Sequence, residues 1–446
     1  MSSFSVRTLP YFRVHIRLPG DKSIAHRAAL LSALSSRTTI LNNYPLNNDC
    51  LFTLRVLKQL GIKIVIKRLE GFRGDVRIAG RGLCGFRHPR SSLYVGESGT
   101  TLRLILGILA GQEFKSRLIA GESLSARPML RVTGPLRMMG AQIDSVRMKR
   151  GSKIEEYPPI VIKGCRLMPI TYTLPVASAQ VKSAILLAGL FAEGKTSVIE
   201  PVKTRDHTER MLKLFHADIK SAGNKVTINS ERALVSPGKV YIPGDISSAS
   251  FFMVLAALVP SAEITIENTS INPSRLGVLK VLKRMGADIR IVTRTKQSFE
   301  PIGTIVVRNR CLKGVRVRKE EIPSLIDELP VLMVAAAFAQ GQSVFEGIEE
   351  LTVKETDRVI SIQENLEKMG ARVEVFRKGG FSAIRISGGK ELHGASVRSF
   401  GDHRTAMSMI VAGLAAGGST VLDDADCINK SFPGFTRMIR RFLLKS

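Results

Sequence analysis

Pro19-Gly20-Asp21-Lys22-Ser23-Ile24-Ala25-His26-Arg27 runs directly into Ala28-Ala-Leu-Leu-Ser-Ala-Leu34, and the reading of this stretch decides the fold. Gly20 permits a tight turn, Asp21 or Ser23 can cap a helix, and the run beyond is too uniformly apolar to keep one wet face. A buried helix is expected, with two cations, Lys22 and Arg27, in its first turns. A helix start favours negative charge by about 0.3–1 kcal/mol, and a charge-assisted bond from either cation could add about 1.5–3 kcal/mol. The stretch reads as a seat for phosphate or carboxylate, or as a capped helix whose cations face water. Taken alone it does not choose.

Working outward, the apolar helix pattern recurs at Ala184-Ile-Leu-Leu-Ala-Gly-Leu190, Phe252-Met-Val-Leu-Ala-Ala-Leu258, Leu332-Met-Val-Ala-Ala-Ala-Phe338 and Met409-Ile-Val-Ala-Gly-Leu-Ala415, with a looser copy from Leu104. Most copies pass through a small or polar turn into a β-branched run. A second pattern alternates with the first. Leu57-Lys-Gln-Leu-Gly61, Leu136-Arg-Met-Met-Gly140, Leu282-Lys-Arg-Met-Gly286 and Leu366-Glu-Lys-Met-Gly370 each end an amphipathic helix on a glycine before a strand; at the fifth copy His216 replaces the glycine. About six α/β units of roughly 70–80 residues fit the chain, longer than a solenoid repeat. Ile242-Pro-Gly-Asp-Ile-Ser-Ser-Ala-Ser250 echoes Leu18-Pro-Gly-Asp21, so the units fall into two similar lobes of three. The expected division is 21–241 for one lobe and 1–20 plus 242–446 for the other. A ligand site would then lie in the cleft between them.

Composition narrows the class. The chain has 446 residues, 44% of them hydrophobic, enough for a substantial core and two or three domains. No apolar run reaches the ~18 residues of a membrane helix and no signal peptide is recognised, so a cytoplasmic protein is expected. Cys50, Cys84, Cys165, Cys311 and Cys427 are isolated, read as reduced and mostly buried, and show no metal-ligand spacing. A net charge of +28 asks for an anionic partner. The local concentrations, 147–153, 313–319 and 437–445, read as solvated surface; with 6% aromatics and no tryptophan, a stacking surface for single-stranded nucleic acid is poorly supported.

Polar islands interrupt the apolar helices. Glu97-Ser-Gly99-Thr-Thr-Leu-Arg103 is a small-residue turn with donors for an anion; Ser123-Leu-Ser-Ala-Arg127-Pro-Met129 presents an arginine stiffened by the following proline. Ser178-Ala-Gln180-Val-Lys182 and Arg205-Asp-His-Thr-Glu-Arg210 open helices with polar groups. Asp327 and Glu328 stand before an apolar helix, as N-cap or general base. In Val353-Lys354-Glu355-Thr-Asp-Arg358, read as a helix, Lys354 and Arg358 share a face and Glu355 neighbours Arg358. Gly401-Asp-His-Arg404 and Asn429-Lys430-Ser-Phe-Pro433 bring further cations to helix starts. Each island alone is explained by caps and surface pairs. Their repetition at the entrances of apolar helices is not.

In order and spacing these islands, from about Leu18 to Phe435, resemble the 5-enolpyruvylshikimate-3-phosphate synthases. The resemblance implies an α/β fold of two lobes, each of three βαβαββ units with buried parallel helices, and an active site in the inter-lobe cleft. It implies transfer of the carboxyvinyl group of phosphoenolpyruvate to the 5-hydroxyl of shikimate 3-phosphate, with release of phosphate and without metal or organic cofactor. By resemblance Ser23, Arg27, Ser178, Gln180 and Lys354 hold shikimate 3-phosphate. Lys22, Arg127, Arg358, Arg404 and Lys430 surround phosphoenolpyruvate, with Gly99 bringing backbone near it. Asp327 is the base at the 5-hydroxyl, and Glu355 and Lys22 move protons at the methylene carbon and the leaving phosphate. A monomer is expected, with the two small anions as partners and neither membrane nor specific nucleic acid.

Three positions depart from the family's usual residues: Glu97 for Asn, Ala25 for Ser and Thr352 for Arg. An unpaired carboxylate ~4 Å from phosphoenolpyruvate would oppose binding by about 4 kcal/mol at an effective dielectric of 20. Glu97 is therefore expected to pair with Arg103 or Arg127, or to be protonated. The alternatives are a catalytically weakened paralogue that binds anions or RNA, and enolpyruvyl transfer to UDP-N-acetylglucosamine.

Overall fold

The computed structural model describes residues 2–150, 153–295 and 299–444. Gly151 and Ser152 of one basic cluster and Lys445 of another lie outside them. The chain divides into two compact units, Gly20–Ile242 and Met1–Pro19 with Pro243–Ser446. Among the described residues the α-helices are α1 (Lys22–Leu34), α2 (Asn48–Gln59), α3 (Gly99–Leu109), α4 (Glu122–Ser125), α5 (Leu130–Met138), α6 (Ala179–Gly189), α7 (His207–Leu214), α8 (Ile246–Leu258), α9 (Gly277–Arg284), α10 (Leu329–Phe338), α11 (Arg358–Lys368), α12 (His403–Ala415) and α13 (Phe435–Leu443).

In the unit Gly20–Ile242, three four-stranded sheets repeat one order: an edge strand parallel to a central strand, then two antiparallel strands. One runs Leu93–Tyr94, Lys115–Ile119, Lys153–Lys163, Gln142–Arg150; another runs Thr171–Thr173, Lys195–Ile199, Lys225–Asn229, Asp218–Ala222. Each is one continuous βαβαββ segment. The third, Thr38–Pro45, Arg73–Ala79 and Lys63–Leu69, takes its parallel edge from Lys239–Tyr241 at the far end of the unit.

The other unit repeats the scheme in the sheet Arg316–Val317, Gln342–Glu346, Phe381–Ser387, Arg372–Lys378. Its sheet of Glu263–Ser270, Ile302–Arg308 and Asp288–Thr295 takes its parallel edge from Arg13–Arg17. A three-stranded sheet is completed when Phe4–Arg7 pairs antiparallel with Ser419–Leu422. The chain's early strands thus belong with its second half.

The apolar helices are cores of their units. Helices α8, α10 and α12 pack on one another, and α3 packs on α6 and α1. Their side chains are buried around nearly the whole circumference, as expected of helices with no polar face. Amphipathic helices end as their sequences require. Gly61, Gly140, Gly286 and Gly370 take positive φ, and the residue after each donates back into the last turn, as from Ala287 N to Leu282 O at 3.0 Å. His216 adopts φ +64° at the fifth such end. Among the cysteines, only Cys50 and Cys427 are buried; Cys84 and Cys311 are exposed and Cys165 half-buried, so burial was expected for too many of them.

Candidate active site

Asp21, rather than Ser23, caps α1: its Oδ1 accepts from Ile24 N at 2.9 Å. The cap fixes Lys22 at the first helical position, where its Nζ lies 3.0 Å from Asp49 Oδ2. Asp49 is presented by the first turn of α2, whose own start is capped when Asn47 accepts from Cys50 N. One turn on, the buried Arg27 is spread over neutral acceptors: Nε donates to Thr208 Oγ1 at 2.6 Å, Nη2 to Ser183 Oγ at 2.7 Å and Nη1 to Ser23 O at 2.8 Å. These bonds fix the guanidinium plane.

Ser98 caps α3 and Ser178 caps α6. A hydroxyl oxygen that accepts from a helix N–H keeps its proton to donate, so the cap leaves Ser178 a donor. Gln180 joins the two helix starts, accepting from Arg103 Nη1 at 2.8 Å and donating to Thr100 Oγ1 at 2.9 Å. Gly99 is small for a reason. A Cβ there would lie 2.7 Å from Arg103 Nη1 and 3.2 Å from Arg127 Nη1, so two guanidinium groups close on the first turn of α3.

Glu97 does find a partner, though a different one from that expected. Its Oε2 accepts from the backbone N–H of Leu124 at 2.8 Å, in the first turn of α4, instead of pairing with Arg103 or Arg127. Free N–H groups at a helix start attract a carboxylate as a cation does.

The second unit collects carboxylates. The guanidinium of Arg358, 2% exposed, has Nε 2.8 Å from Asp402 Oδ2, Nη2 2.7 Å from Glu355 Oε2 and Nη1 3.7 Å from Asp327 Oδ1. Burial opposes the charge, but Asp402, Glu355 and Asp327 outweigh it and hold Arg358 well above its ordinary value. Asp402 is fully buried and also caps α12 through Arg404 N, whereas Asp327 and Glu355 remain partly accessible.

Lys354 and Glu355 are not helical. Asp357 caps α11 by accepting from Val359 N and Ile360 N, so the helix begins at Arg358, and Lys354 and Glu355 lie in a bend ahead of the cap. The Glu355–Arg358 contact survives the correction. Nor does either acid at 327–328 bond as the cap of α10. Glu328 turns inward to Arg275 and Ser247, leaving Asp327 facing Arg358. Arg404 lies over the Phe251 ring at 6.0 Å, and Lys430 Nζ donates to Gly401 O at 3.1 Å.

Sequence reading missed Asp49 and Asp402 as the partners of Lys22 and Arg358, and it missed the buried ions around Lys182. Lys182 Nζ is 3.0 Å from Glu200 Oε2 and 2.6 Å from Glu209 Oε1, beside the Ser183–Thr208 pair that holds Arg27. A lysine inside an apolar helix, one residue from a cation's hydroxyl partner, was the available signal. Arg205-Asp-His-Thr-Glu-Arg210 keeps its bland surface pair, Arg210 Nε to Asp206 Oδ2 at 2.8 Å. Among the described residues no group of three His, Cys, Asp or Glu could hold a metal ion, and no helix is long and apolar enough to cross a membrane.

The EPSP synthase (3-phosphoshikimate 1-carboxyvinyltransferase) family profile matches residues 9–439. A 3-phosphoshikimate 1-carboxyvinyltransferase of Desulforamulus reducens is 46% identical over 434 residues, 97% of each chain. An EPSP synthase structure from Acinetobacter baumannii superposes with a TM-score of 0.85 at 41% identity, covering 98% of each chain. An enolpyruvyl transferase of Streptomyces tendae, 16% identical, shares the fold with a TM-score of 0.73 over 99% of this chain and 96% of its own. The repeated βαβαββ units, the cation-lined helix starts and a match along almost the whole chain lead to one conclusion: this chain belongs to the EPSP synthase (3-phosphoshikimate 1-carboxyvinyltransferase) family.

Proposed function

We propose that this chain transfers the carboxyvinyl group of phosphoenolpyruvate to the 5-hydroxyl of shikimate 3-phosphate, by addition and elimination through a tetrahedral intermediate. The observation that carries the reading is the pair of accessible carboxylates, Asp327 and Glu355, held on one buried guanidinium in a chain of this family. A general base must keep its proton acceptor aimed, and Arg358 does that for both acids.

In this reading Ser23, Arg27, Ser178, Gln180 and Lys354 bind shikimate 3-phosphate. Arg27 brings a fixed fork suited to phosphate, and Ser178 the hydroxyl proton left over from capping. Lys22, Arg127, Arg358, Arg404, Lys430 and the backbone at Gly99 bind phosphoenolpyruvate. The first lobe, 21–241, carries most of the shikimate-phosphate groups; the other, 1–20 with 242–446, carries the acids. The 5-hydroxyl oxygen bonds to C2 of phosphoenolpyruvate as its proton passes to Asp327, and C3 takes a proton from Lys22 or Glu355. A proton then leaves C3 to one of these bases, the double bond re-forms, and the C2–O bond breaks with its electron pair leaving on phosphate. The chain's own cations stabilise the charge that moves, so no further cofactor is invoked.

A cytoplasmic monomer fits the reading, since every assigned group comes from one chain. A weakened anion- or RNA-binding paralogue is not favoured, because each charged residue assigned to the chemistry is present. Transfer to UDP-N-acetylglucosamine is not favoured either, given the relatives' names. The test is phosphate release from phosphoenolpyruvate with and without shikimate 3-phosphate. Release should depend on shikimate 3-phosphate and fall about 10²–10⁴-fold in Asp327→Ala, with the unfolding midpoint near wild type. Folded wild-type protein that releases no phosphate would end the reading.

A further inference from the structure

Glu97 sits between two stretches of chain that must be joined for Arg127 to reach α3. Beyond the parallel pair Leu93–Tyr94 and Lys115–Ile119, the stretches stay together through successive links. Val95 N donates to Ile119 O at 3.0 Å, Gly121 N to Gly96 O at 2.9 Å and Leu124 N to Glu97 Oε2 at 2.8 Å. Next come Arg127, whose N donates to Leu124 O at 3.1 Å, and its Nη1, 3.2 Å from where a Cβ of residue 99 would sit. The first two links are backbone to backbone and outlast any substitution. The third depends on one side chain.

The opposite stretch has room for that side chain. A Cβ at Gly121 would lie 2.2 Å from Glu97 Oε1 and 2.7 Å from its Cδ, so the carboxylate occupies the space that a side chain at 121 would take. Gly121 itself has φ −70°, which alanine adopts without strain, so a methyl there would act by pushing the Glu97 carboxylate aside. On its far side Arg127 is anchored independently, through Met129 N to Glu156 O at 2.8 Å.

We propose that Glu97 is a positioning residue that, with Gly121, fixes Arg127 against the start of α3 and so sets affinity for phosphoenolpyruvate. The assignment of that ligand rests on the proposed function; the clamp does not. Glu97 acts through the bond that it accepts from Leu124 N, and a carboxamide oxygen in its place can accept the same bond. Glu97→Gln should therefore keep or improve the KM for phosphoenolpyruvate.

Four variants decide the matter: Glu97→Ala, Glu97→Gln, Gly121→Ala and the double Glu97→Ala/Gly121→Ala. Losing one hydrogen bond to a charged acceptor should raise the KM for phosphoenolpyruvate about tenfold in Glu97→Ala. The KM for shikimate 3-phosphate and the unfolding midpoint should hold. Gly121→Ala should match that loss in the wild-type background yet add nothing to Glu97→Ala, because the clash needs the carboxylate. Amide hydrogen exchange over residues 121–127 should quicken in Glu97→Ala whether or not the protein turns over. An active wild type with unchanged KM and exchange in Glu97→Ala, or losses that simply add in the double variant, would overturn the proposal. An inactive wild type with quickened exchange would remove the proposed function and leave the clamp standing.

Discussion

Arg27 and Arg358 are both buried arginines at helix starts, and different groups fix their guanidinium planes. Arg27 meets two hydroxyls and a carbonyl, whereas Arg358 meets three carboxylates. The hydroxyls and the carbonyl fix the plane of one guanidinium, and the carboxylates on the other are themselves aimed by it. A buried arginine is informative about function through the groups that hold it, and hardly through its own charge.

The strongest way to break this contrast is Arg358→Met. Removing the cation leaves the buried Asp402 without it and Asp327 and Glu355 with no common anchor, which should cost about 3–5 kcal/mol in a denaturant titration. An unchanged midpoint would show that the three acids do not depend on Arg358.

A finer test is Thr208→Val, which deletes one of the hydroxyls on Arg27 with little change of shape. Misaiming the fork should raise the KM for shikimate 3-phosphate about tenfold, at nearly constant KM for phosphoenolpyruvate. A general fall in kcat with both KM values unchanged would detach Arg27 from the substrate.

The smallest expected effects appear when pH is varied. His26 is held well below its ordinary value of 6.5 by burial first, then by Lys22 and Arg27. The folded state keeps it neutral while the unfolded chain takes up a proton, so its contribution is full above pH 6.5 and declines as pH falls. In the other unit Glu263 is lowered from 4.5 to about 2 by hydrogen bonds from Arg13 and Arg308. Its contribution is present above pH 4.5 and is lost as pH falls toward 2; exposure to solvent keeps it small. Unfolding midpoints measured against pH should flatten between pH 6.5 and 4.5 in His26→Gln, and only below pH 4.5 in Glu263→Gln.

Local physics explains what the sequence disclosed. Uniform apolar runs announced helices with no wet face, and glycines after amphipathic runs announced left-handed ends; both held at Ala184–Leu190 and at Gly286. The Pro-Gly-Asp echo marked the start of each set of three units, and at both places the aspartate, Asp21 or Asp245, caps the helix that follows. What stayed hidden depended on partners far along the chain. Asp402 stands 44 residues from Arg358, and Arg27 is 181 residues from Thr208. No periodicity relates such positions. Lys354 and Glu355 misled for a different reason: charge spacing suited a helix, but the Asp357 side chain offered the backbone a better bond and started the helix after them.

The exchange of edge strands bears on how the molecule is made. Strand Arg13–Arg17 pairs with residues 250 positions later, so at about 5–20 residues per second it leaves the ribosome some ~12–50 s before its partner exists. During that wait it is an orphan edge, open to any other nascent chain. Its outward face is Arg13, His15 and Arg17, all exposed in the finished sheet, and such charges deter strangers from adding on. Meanwhile Gly20–Ile242 is uninterrupted in the chain and can mature during synthesis, an insert completed before its host.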